Sequence, residues 1–125
     1  MKEFFVETTK RVEAVDITGK VERCVEKNAN ACLVFVPHAT AAIIIGEYEH
    51  NIKNDYEKFY SQLAKGEWRH NSIDNNAEAH LLSSLVKPFA VVPCENGKLA
   101  LGTWQRIMLL ELDGPRKRRV AIRLL

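Results

Sequence analysis

The segment FAVVPCENGKLALGTW, residues 89–104, indicates how this chain folds. Its first six residues are mostly apolar and include Phe and two β-branched valines, a composition that favours a strand. The dipeptide Asn96-Gly97 follows, and it is typical of the type I′ turns that join antiparallel strands. The pattern predicts that the strand over residues 89–94 folds back on KLALGTW, residues 98–104.

Five other segments have the composition of strands: KEFFVETTK (2–10), two continuous apolar runs (33–36 and 41–45), RIMLLEL (106–112) and RVAIRLL (119–125). The last two flank DGPRKR (113–118), and we expect them to form a second antiparallel pair. The two apolar runs lack the alternation of a half-exposed strand, which predicts that both are buried.

Three segments have helical spacing: DITGKVERCVEKN (16–28), HNIKNDYEKFYSQLA (50–64) and EAHLLSSLV (78–86). In the last helix four residues are expected to face the core: Leu81, Leu82, Leu85 and Val86. Strands outnumber helices and are joined mostly by hairpins. The predicted fold class is therefore α+β, an antiparallel sheet packed with a few helices.

The composition is that of a soluble globular protein. The chain has 125 residues, of which 46% are hydrophobic and 27% charged, and this predicts one domain over residues 1–125. No stretch reaches membrane-spanning length, and the first ten residues hold too short an apolar run for a signal peptide. Cys24, Cys32 and Cys94 include no CxxC pair, so neither a disulfide framework nor a zinc knuckle is expected. We expect a cytoplasmic protein without a membrane partner.

A polar segment, WRHNSIDNNAEAHLL (68–82), leads into the last predicted helix. It gathers imidazole, carboxylate and amide side chains: His70, Asn71, Asp74, Asn76 and His80. Asn75 stands three residues before Glu78, a spacing compatible with a capping box in which Asn75 is the cap. The sequence therefore predicts a polar cluster at a helix start.

Such a cluster is suited to binding anions and metal ions. The unpaired N–H groups of a helix start favour phosphate, and the same field keeps a nearby imidazole neutral and able to bind a metal. Two histidines with a carboxylate are a plausible ligand set for a divalent ion. The simpler interpretation remains open, in which the asparagines and Asp74 are turn residues and both histidines are structural.

Five further residues are candidates for a site. His38 ends a buried strand, Thr40 follows it, and Glu47 ends the next apolar run, where loops on a rigid scaffold often carry function. A lone histidine after a strand is usually structural, and Glu47 could equally cap the helix that follows. Trp104 and Gln105 offer a stacking face and a hydrogen-bonding amide, although Trp104 could also lie in the core.

The stretch RKRR, residues 116–119, is the one basic cluster. A solvated hairpin rim accounts for it, and a contact with phosphate or nucleic acid is the alternative. The neighbouring Asp113 and the absence of interleaved aromatic residues disfavour a nucleic-acid surface.

Five motifs follow one another along nearly the whole chain: HATAAIII (38–45), WRHN (68–71), DNNAEAHLLSSL (74–85), NGKLALGTWQ (96–105) and DGPRKRRV (113–120). Together they resemble the YjbQ-like family of small proteins, members of which have been called secondary thiamine-phosphate synthases. The resemblance implies antiparallel sheets in a sandwich-like arrangement, and usually a homotrimer with sites near subunit boundaries. It also implies a polar site made of His38, Thr40, Glu47, His70, Asn71, Asp74, His80, Thr103, Trp104 and Gln105.

Residues and resemblance together give candidate roles. The expected catalytic residues are His38, Glu47, His70 and His80. The expected ligands of a divalent metal, Mg²⁺ or Zn²⁺, are His70, His80 and Asp74. The residues expected to bind a phosphorylated substrate are Thr40, Asn71, Asn76, Thr103, Trp104 and Gln105.

Two classes of function remain open at this point. The first is a metal-dependent enzyme resembling thiamine-phosphate synthase, which would join a pyrimidine diphosphate to a thiazole phosphate and release pyrophosphate. The second is a non-catalytic module that binds a phosphorylated metabolite or nucleic acid.

Overall fold

The computed structural model describes all 125 residues, which form eight strands and three α-helices. The strands are β1 (Lys2–Glu7), β2 (Glu13–Asp16), β3 (Ala31–Phe35), β4 (Ala41–Gly46), β5 (Phe89–Glu95), β6 (Lys98–Leu99), β7 (Arg106–Glu111) and β8 (Lys117–Leu124). The helices are α1 (Thr18–Glu22), α2 (His50–Leu63) and α3 (Ala77–Val86), with a 3₁₀ turn at Arg69–Ser72. This confirms the predicted α+β class.

The strands form two antiparallel sheets that face each other across the main core. The larger sheet has the order β1-β8-β3-β5-β6, and the smaller has the order β2-β7-β4. Sixteen buried apolar residues, from both sheets, α1 and the adjoining connections, fill the space between them, as in a β-sandwich. The sandwich-like arrangement implied by the family resemblance is therefore confirmed.

The small sheet is buried on both faces, which explains its continuous apolar strands. Ile107 and Leu109 of β7 belong to the core between the sheets. Leu110 of β7 and Ala42 of β4 point the other way, where they pack against Leu82 of α3. The order of layers is thus large sheet, small sheet, and the helices α2 and α3.

The hairpin predicted at Asn96-Gly97 is confirmed, but its second strand is short. Both residues have positive φ, 52° and 80°, as a type I′ turn requires. Only Lys98 and Leu99 pair with β5. The rest of KLALGTW forms a loop that leads to β7, and this loop places Trp104 at the surface.

The pairing predicted for β7 with β8 is wrong. β7 pairs with β2 and β4, whereas β8 pairs with β1 and β3. Alternate residues of both strands, including Leu109 and Val120, enter the same core from opposite sides. The two strands therefore face each other across the sandwich, and the segment 112–116 crosses from one sheet to the other.

Helical details differ from the sequence prediction in two places. The first predicted helix is only five residues long. In α3, Leu82 is buried, but Leu81 and Leu85 are 41% and 67% exposed, because only one side of the helix contacts the small sheet. No helix of the protein is long and apolar enough to cross a membrane.

Candidate functional site

His70 and His80 lie together at the start of α3. His70 belongs to the 3₁₀ turn and His80 to the first turns of the helix, and their ring centroids are 4.8 Å apart with the rings at 72°. This edge-to-face contact brings together two residues that are ten positions apart in the sequence. A shallow depression of about 410 Å³ lies over the pair, lined by Trp68, Arg69, His70, Ala77, His80 and Leu81.

The start of α3 is capped differently from the prediction. Asn76, not Asn75, occupies the N-cap position, and its side chain makes no capping hydrogen bond. The Ala77 N–H instead donates to the Oδ1 atom of Asn71, at 2.9 Å. Asn71 lies in the 3₁₀ turn, so the loop folds back and supplies the cap from six residues upstream. The predicted capping box of Asn75 and Glu78 is wrong.

Asn76 is buried and both ends of its amide are bonded. Its Oδ1 atom lies 2.8 Å from Nε2 of His70, and its Nδ2 atom donates to Oδ2 of Asp113 at 2.9 Å. A carboxylate can only accept, so the NH₂ end of the amide must face Asp113 and the oxygen must face the ring. His70 therefore carries its proton on Nε2, and Nδ1 is the nitrogen with a free lone pair in the neutral ring.

Asp113 is held in turn by two arginines. The guanidinium of Arg116 donates to its Oδ2 atom at 2.9 Å, and that of Arg11 lies 3.6 Å from Oδ1. Arg11 also donates to the backbone carbonyl of Asn75, at 2.7 Å. A hydrogen-bonded chain thus runs from the segment between the two sheets to the histidine pair.

The sequence analysis did not predict the roles of Asp113 and Arg11 in this series of hydrogen bonds. Asp113 falls within the motif DGPRKRRV, and that motif was the available signal. Nothing in the local pattern ties Arg11, in the connection between β1 and β2, to the loop before α3.

Gly114, next to Asp113, must be a glycine because a Cβ atom at this position would overlap the Lys10 carbonyl oxygen and the Thr8 hydroxyl.

His38 and Thr40 belong to a second cluster, around the buried pair of Glu111 and Arg118. The Nε2 atom of His38 accepts the backbone N–H of Arg119 at 2.9 Å. Burial lowers the pKa of His38 below its usual value of 6.5, and the positive charges of Arg118 and Arg119 lower it further. Arg118 donates to the Thr40 hydroxyl at 2.9 Å. Thr40 is buried and its hydroxyl is engaged within the chain.

The basic cluster is not a solvated rim throughout. Arg118 is 3% exposed and forms an ion pair with Glu111, which is fully buried. Arg116 and Arg119 are paired with Asp113 and Glu3. Lys117 lies over the ring of Phe5, with Nζ 4.7 Å from its centroid. Each cation of the cluster therefore has a partner within the chain.

Within a single chain, the remaining candidate residues do not contact the pair of His70 and His80. The Glu47 carboxylate is exposed and forms no ion pair, and Glu49, not Glu47, caps α2. Thr103, Trp104 and Gln105 lie in the loop before β7, where Trp104 is 73% exposed. Gln105 accepts the Gly102 N–H at 2.9 Å and so folds this loop locally.

One chain does not assemble a complete metal site. No group of three or more His, Cys, Asp or Glu side chains lies close enough together to hold a metal ion. Asp74 is exposed in the turn before Asn76 and does not join the histidine pair. His70 and His80 alone therefore offer at most two protein ligands.

Comparison with known proteins identifies the family. The family described as "UPF0047 protein YjbQ-like" matches residues 2–125. The chain belongs to this family. A UPF0047 protein from Archaeoglobus fulgidus is 49% identical over 126 residues, which cover 98% of this chain and 99% of that protein. The UPF0047 protein YugU of Bacillus subtilis is 36% identical over 132 residues, covering 100% of this chain and 98% of YugU.

Solved structures of UPF0047 relatives share the fold over nearly the whole chain. A YbjQ-like protein of unknown function from Sulfolobus solfataricus has a TM-score of 0.94 and 40% identity, covering 98% of this chain and 94% of its own. A yjbq/upf0047 family protein from Clostridium acetobutylicum has a TM-score of 0.92 and 32% identity, with both chains covered completely. The resemblance seen in the motifs is thus confirmed as family membership.

Proposed function

We propose that this UPF0047 protein is an enzyme acting on phosphorylated small molecules, with a reaction resembling that of thiamine-phosphate synthase. The reaction would join a pyrimidine diphosphate to a thiazole phosphate and release pyrophosphate. The observation that carries the proposal is the contact between His70 and His80 at the start of α3. It puts two imidazoles beside a helix end that favours anions.

The chain offers two kinds of group for this chemistry. The N–H groups of Glu78 and Ala79 have no partner in the chain, as expected in a first helical turn, and can donate to phosphate oxygens. In this reaction the thiazole nitrogen forms a C–N bond as the C–O bond to pyrophosphate breaks, and no proton leaves the nucleophile. The free Nδ1 lone pair of His70 can instead accept a hydrogen bond from a substrate N–H or O–H group held near the helix start. Arg11 and Asn71 line a polar depression of about 350 Å³ beside these donors.

A divalent metal fits this site only in part. His70 and His80 would supply two ligands, and the others would have to come from substrate phosphate, water or a second subunit. A metal bound there would offset the negative charge of the phosphates. Because the chain lacks a third ligand beside the pair, we propose that the histidines hydrogen-bond the substrate and supply two ligands to a metal whose site is completed by those other groups.

We propose that the site is completed in a homotrimer. Two separate apolar surfaces are exposed on the chain. One is the outer face of the large sheet, with Phe35, Phe89 and Val91, and the other surrounds the histidine pair, with Ile73, Leu81 and Leu85. Contact between two different surfaces of identical chains generates a closed ring when the rotation permits. Such a contact would bring residues from a neighbouring copy to the pair.

Turnover by the purified protein tests the proposal. Pyrophosphate release is measured after mixing the protein with a pyrimidine diphosphate and a thiazole phosphate. We expect release in the unaltered protein and its loss in His70→Ala and His80→Ala. His50→Ala is the matched control, because His50 is exposed at the start of α2 and lies outside the site. Release that is equal in all three variants would contradict the roles given to the pair.

A binding module without catalysis is the second candidate. It is favoured by the absence of a third metal ligand and by the separation of Glu47 and Trp104 from the histidines. Its ligand would be a phosphorylated metabolite, because the cations of the basic cluster are already paired within the chain. Phosphate binding that competes with such metabolites, without any turnover, would decide for this candidate.

A further inference from the structure

We infer that Asn76 and Asp113 are positioning residues, which hold His70 with its proton on Nε2 and present Nδ1 to the ligand. The inference rests on the proposed function, since it assigns how the histidine of that site is oriented. It concerns two residues that are almost wholly buried, one at the start of α3 and one in the segment between the sheets.

The burial and bonding of Asn76 support this role. Asn76 is 7% exposed and Asp113 is 8% exposed. The Oδ1 atom of Asn76 lies 2.8 Å from Nε2 of His70, and its Nδ2 atom donates to Asp113 at 2.9 Å. Because both ends of this amide are already bonded within the protein, we infer that Asn76 acts on the ligand through His70.

Asp113 fixes the direction of the hydrogen bonds that run from it through Asn76 to His70. Asp113 accepts hydrogen bonds and donates none, so Asn76 cannot turn its amide over without placing two acceptors against each other. Arg116, at 2.9 Å, and Arg11, at 3.6 Å, keep the carboxylate in place. Partners of this kind set the tautomer and orientation of a functional imidazole. The free nitrogen of His70 is consequently Nδ1, the one nearer the backbone of the 3₁₀ turn.

The tautomer is measured directly by two-bond ¹⁵N–¹H correlation NMR of the full chain, without substrate. The spectrum is recorded at about pH 8, well above the pKa of an ordinary histidine side chain. We expect His70 to be the Nε2–H tautomer, with an Nε2 proton that exchanges slowly with water. In Asn76→Ala this proton should exchange rapidly and the second tautomer should appear. Asn75→Ala, at an exposed neighbour with no side-chain hydrogen bond, should leave the spectrum unchanged.

A second variant tests the role of Asp113 in this series of hydrogen bonds. Asp113→Asn allows the Asn76 amide to turn over, so we expect a mixture of His70 tautomers in a folded protein. Pyrophosphate release should fall about 10–100-fold in both Asn76→Ala and Asp113→Asn, the usual effect of removing such a partner. The pH dependence of the residual activity should change as well.

Two results would overturn the inference. One is an Nδ1–H tautomer of His70 in the unaltered protein. The other is an Nε2 proton that is equally protected in Asn76→Ala. Both are read from the unaltered protein or a single-site variant, so they do not depend on whether Asp113→Asn folds. Absence of pyrophosphate release with the expected tautomer would overturn the proposed function alone, because the spectrum is recorded without substrate.

Discussion

The imidazole of His38 accepts the backbone N–H of Arg119 through Nε2, at 2.9 Å. This bond requires a lone pair on Nε2, so it exists only while His38 is neutral. Burial and the charges of Arg118 and Arg119 act in the same direction, because they lower the pKa of His38. The connection between β3 and β4 is therefore joined to β8 by a contact that acid would break.

The first prediction concerns the pH dependence of stability. Because the pKa of His38 is lower in the folded than in the unfolded chain, the unfolded chain binds more protons below the usual value of 6.5. The stabilisation is complete above this value and is lost as the pH falls through the folded pKa. We expect the urea midpoint to fall between about pH 7 and about pH 5, and this fall to be smaller in His38→Gln. If the urea midpoint of His38→Gln fell with pH as much as that of the unaltered protein, the prediction would be contradicted. His50→Ala is the control.

The second prediction concerns the buried ion pair of Arg118 and Glu111. Arg118→Met leaves the carboxylate of Glu111 buried without its charge partner, which typically costs about 3–5 kcal/mol. Chemical denaturation should show this loss in the free energy of unfolding. The control is Arg119→Met, which removes the partly exposed pair with Glu3 and should cost no more than about 1 kcal/mol. Equal losses in the free energy of unfolding for the two substitutions would contradict the prediction, because they would show that burial does not increase the cost of breaking the ion pair.

The third prediction concerns metal. We expect His70 and His80 to contribute to one divalent-metal site, so that His70→Ala and His80→Ala each weaken the binding of Zn²⁺ in a titration. His50→Ala is the matched control and should bind as the unaltered protein does. Elemental analysis of the purified protein gives the metal content. Unchanged affinity in both variants would refute the prediction.

The fourth prediction concerns the anion site at the start of α3. Ala77→Pro does not test this site, because the Ala77 N–H is already bonded to Asn71. Glu78 lies in the first turn and lines the same depression as Arg11. Glu78→Gln removes a repulsive charge and should strengthen pyrophosphate binding by about 0.3–1 kcal/mol at low salt. Calorimetry should show weaker binding in Arg11→Gln, and Glu95→Gln on the distant hairpin should have no effect.

The fifth prediction concerns assembly. We expect light scattering to give the mass of a homotrimer at micromolar concentration. Phe35→Lys, in the outer sheet face, and Leu85→Lys, on α3, should each weaken the trimer if these two apolar surfaces contact each other. Phe59→Lys makes the same kind of change at an exposed residue of α2, outside both surfaces, and should leave the mass unchanged. A monomer at all concentrations would remove the prediction.

The sequence predicted those features that short-range physics determines. Asn96-Gly97 specifies its turn through its own backbone preferences, and the continuous apolar run of β4 indicates a largely buried strand. The prediction that the run in β3 is also buried holds for one face only, because Phe35 is exposed on the other. The pattern of β7 and β8 was correct for each strand and wrong for their pairing. Two apolar strands joined by a short segment can lie side by side or face to face, and the pattern is the same in both cases.

The site was predicted in part for the same reason. His70 and His80 were placed at the helix start because both are local to it. Asn71 replaced Asn75 as the cap, because the 3₁₀ turn brings a more distant amide to the Ala77 N–H. Asp113 lies 37 residues from Asn76 along the chain, and this contact exists only because segment 112–116 passes beside the loop. No local pattern contains that information.

The crossing of segment 112–116 between the sheets has a consequence for how this protein tolerates insertions. Extra residues in exposed turns such as Asn96-Gly97 would extend into solvent and leave the packed layers alone. Extra residues after Leu112 would displace Asp113, and with it the amide that holds His70. The chain can therefore vary in length at the end of its hairpin, whereas the link between its two sheets has its length set by the histidine pair.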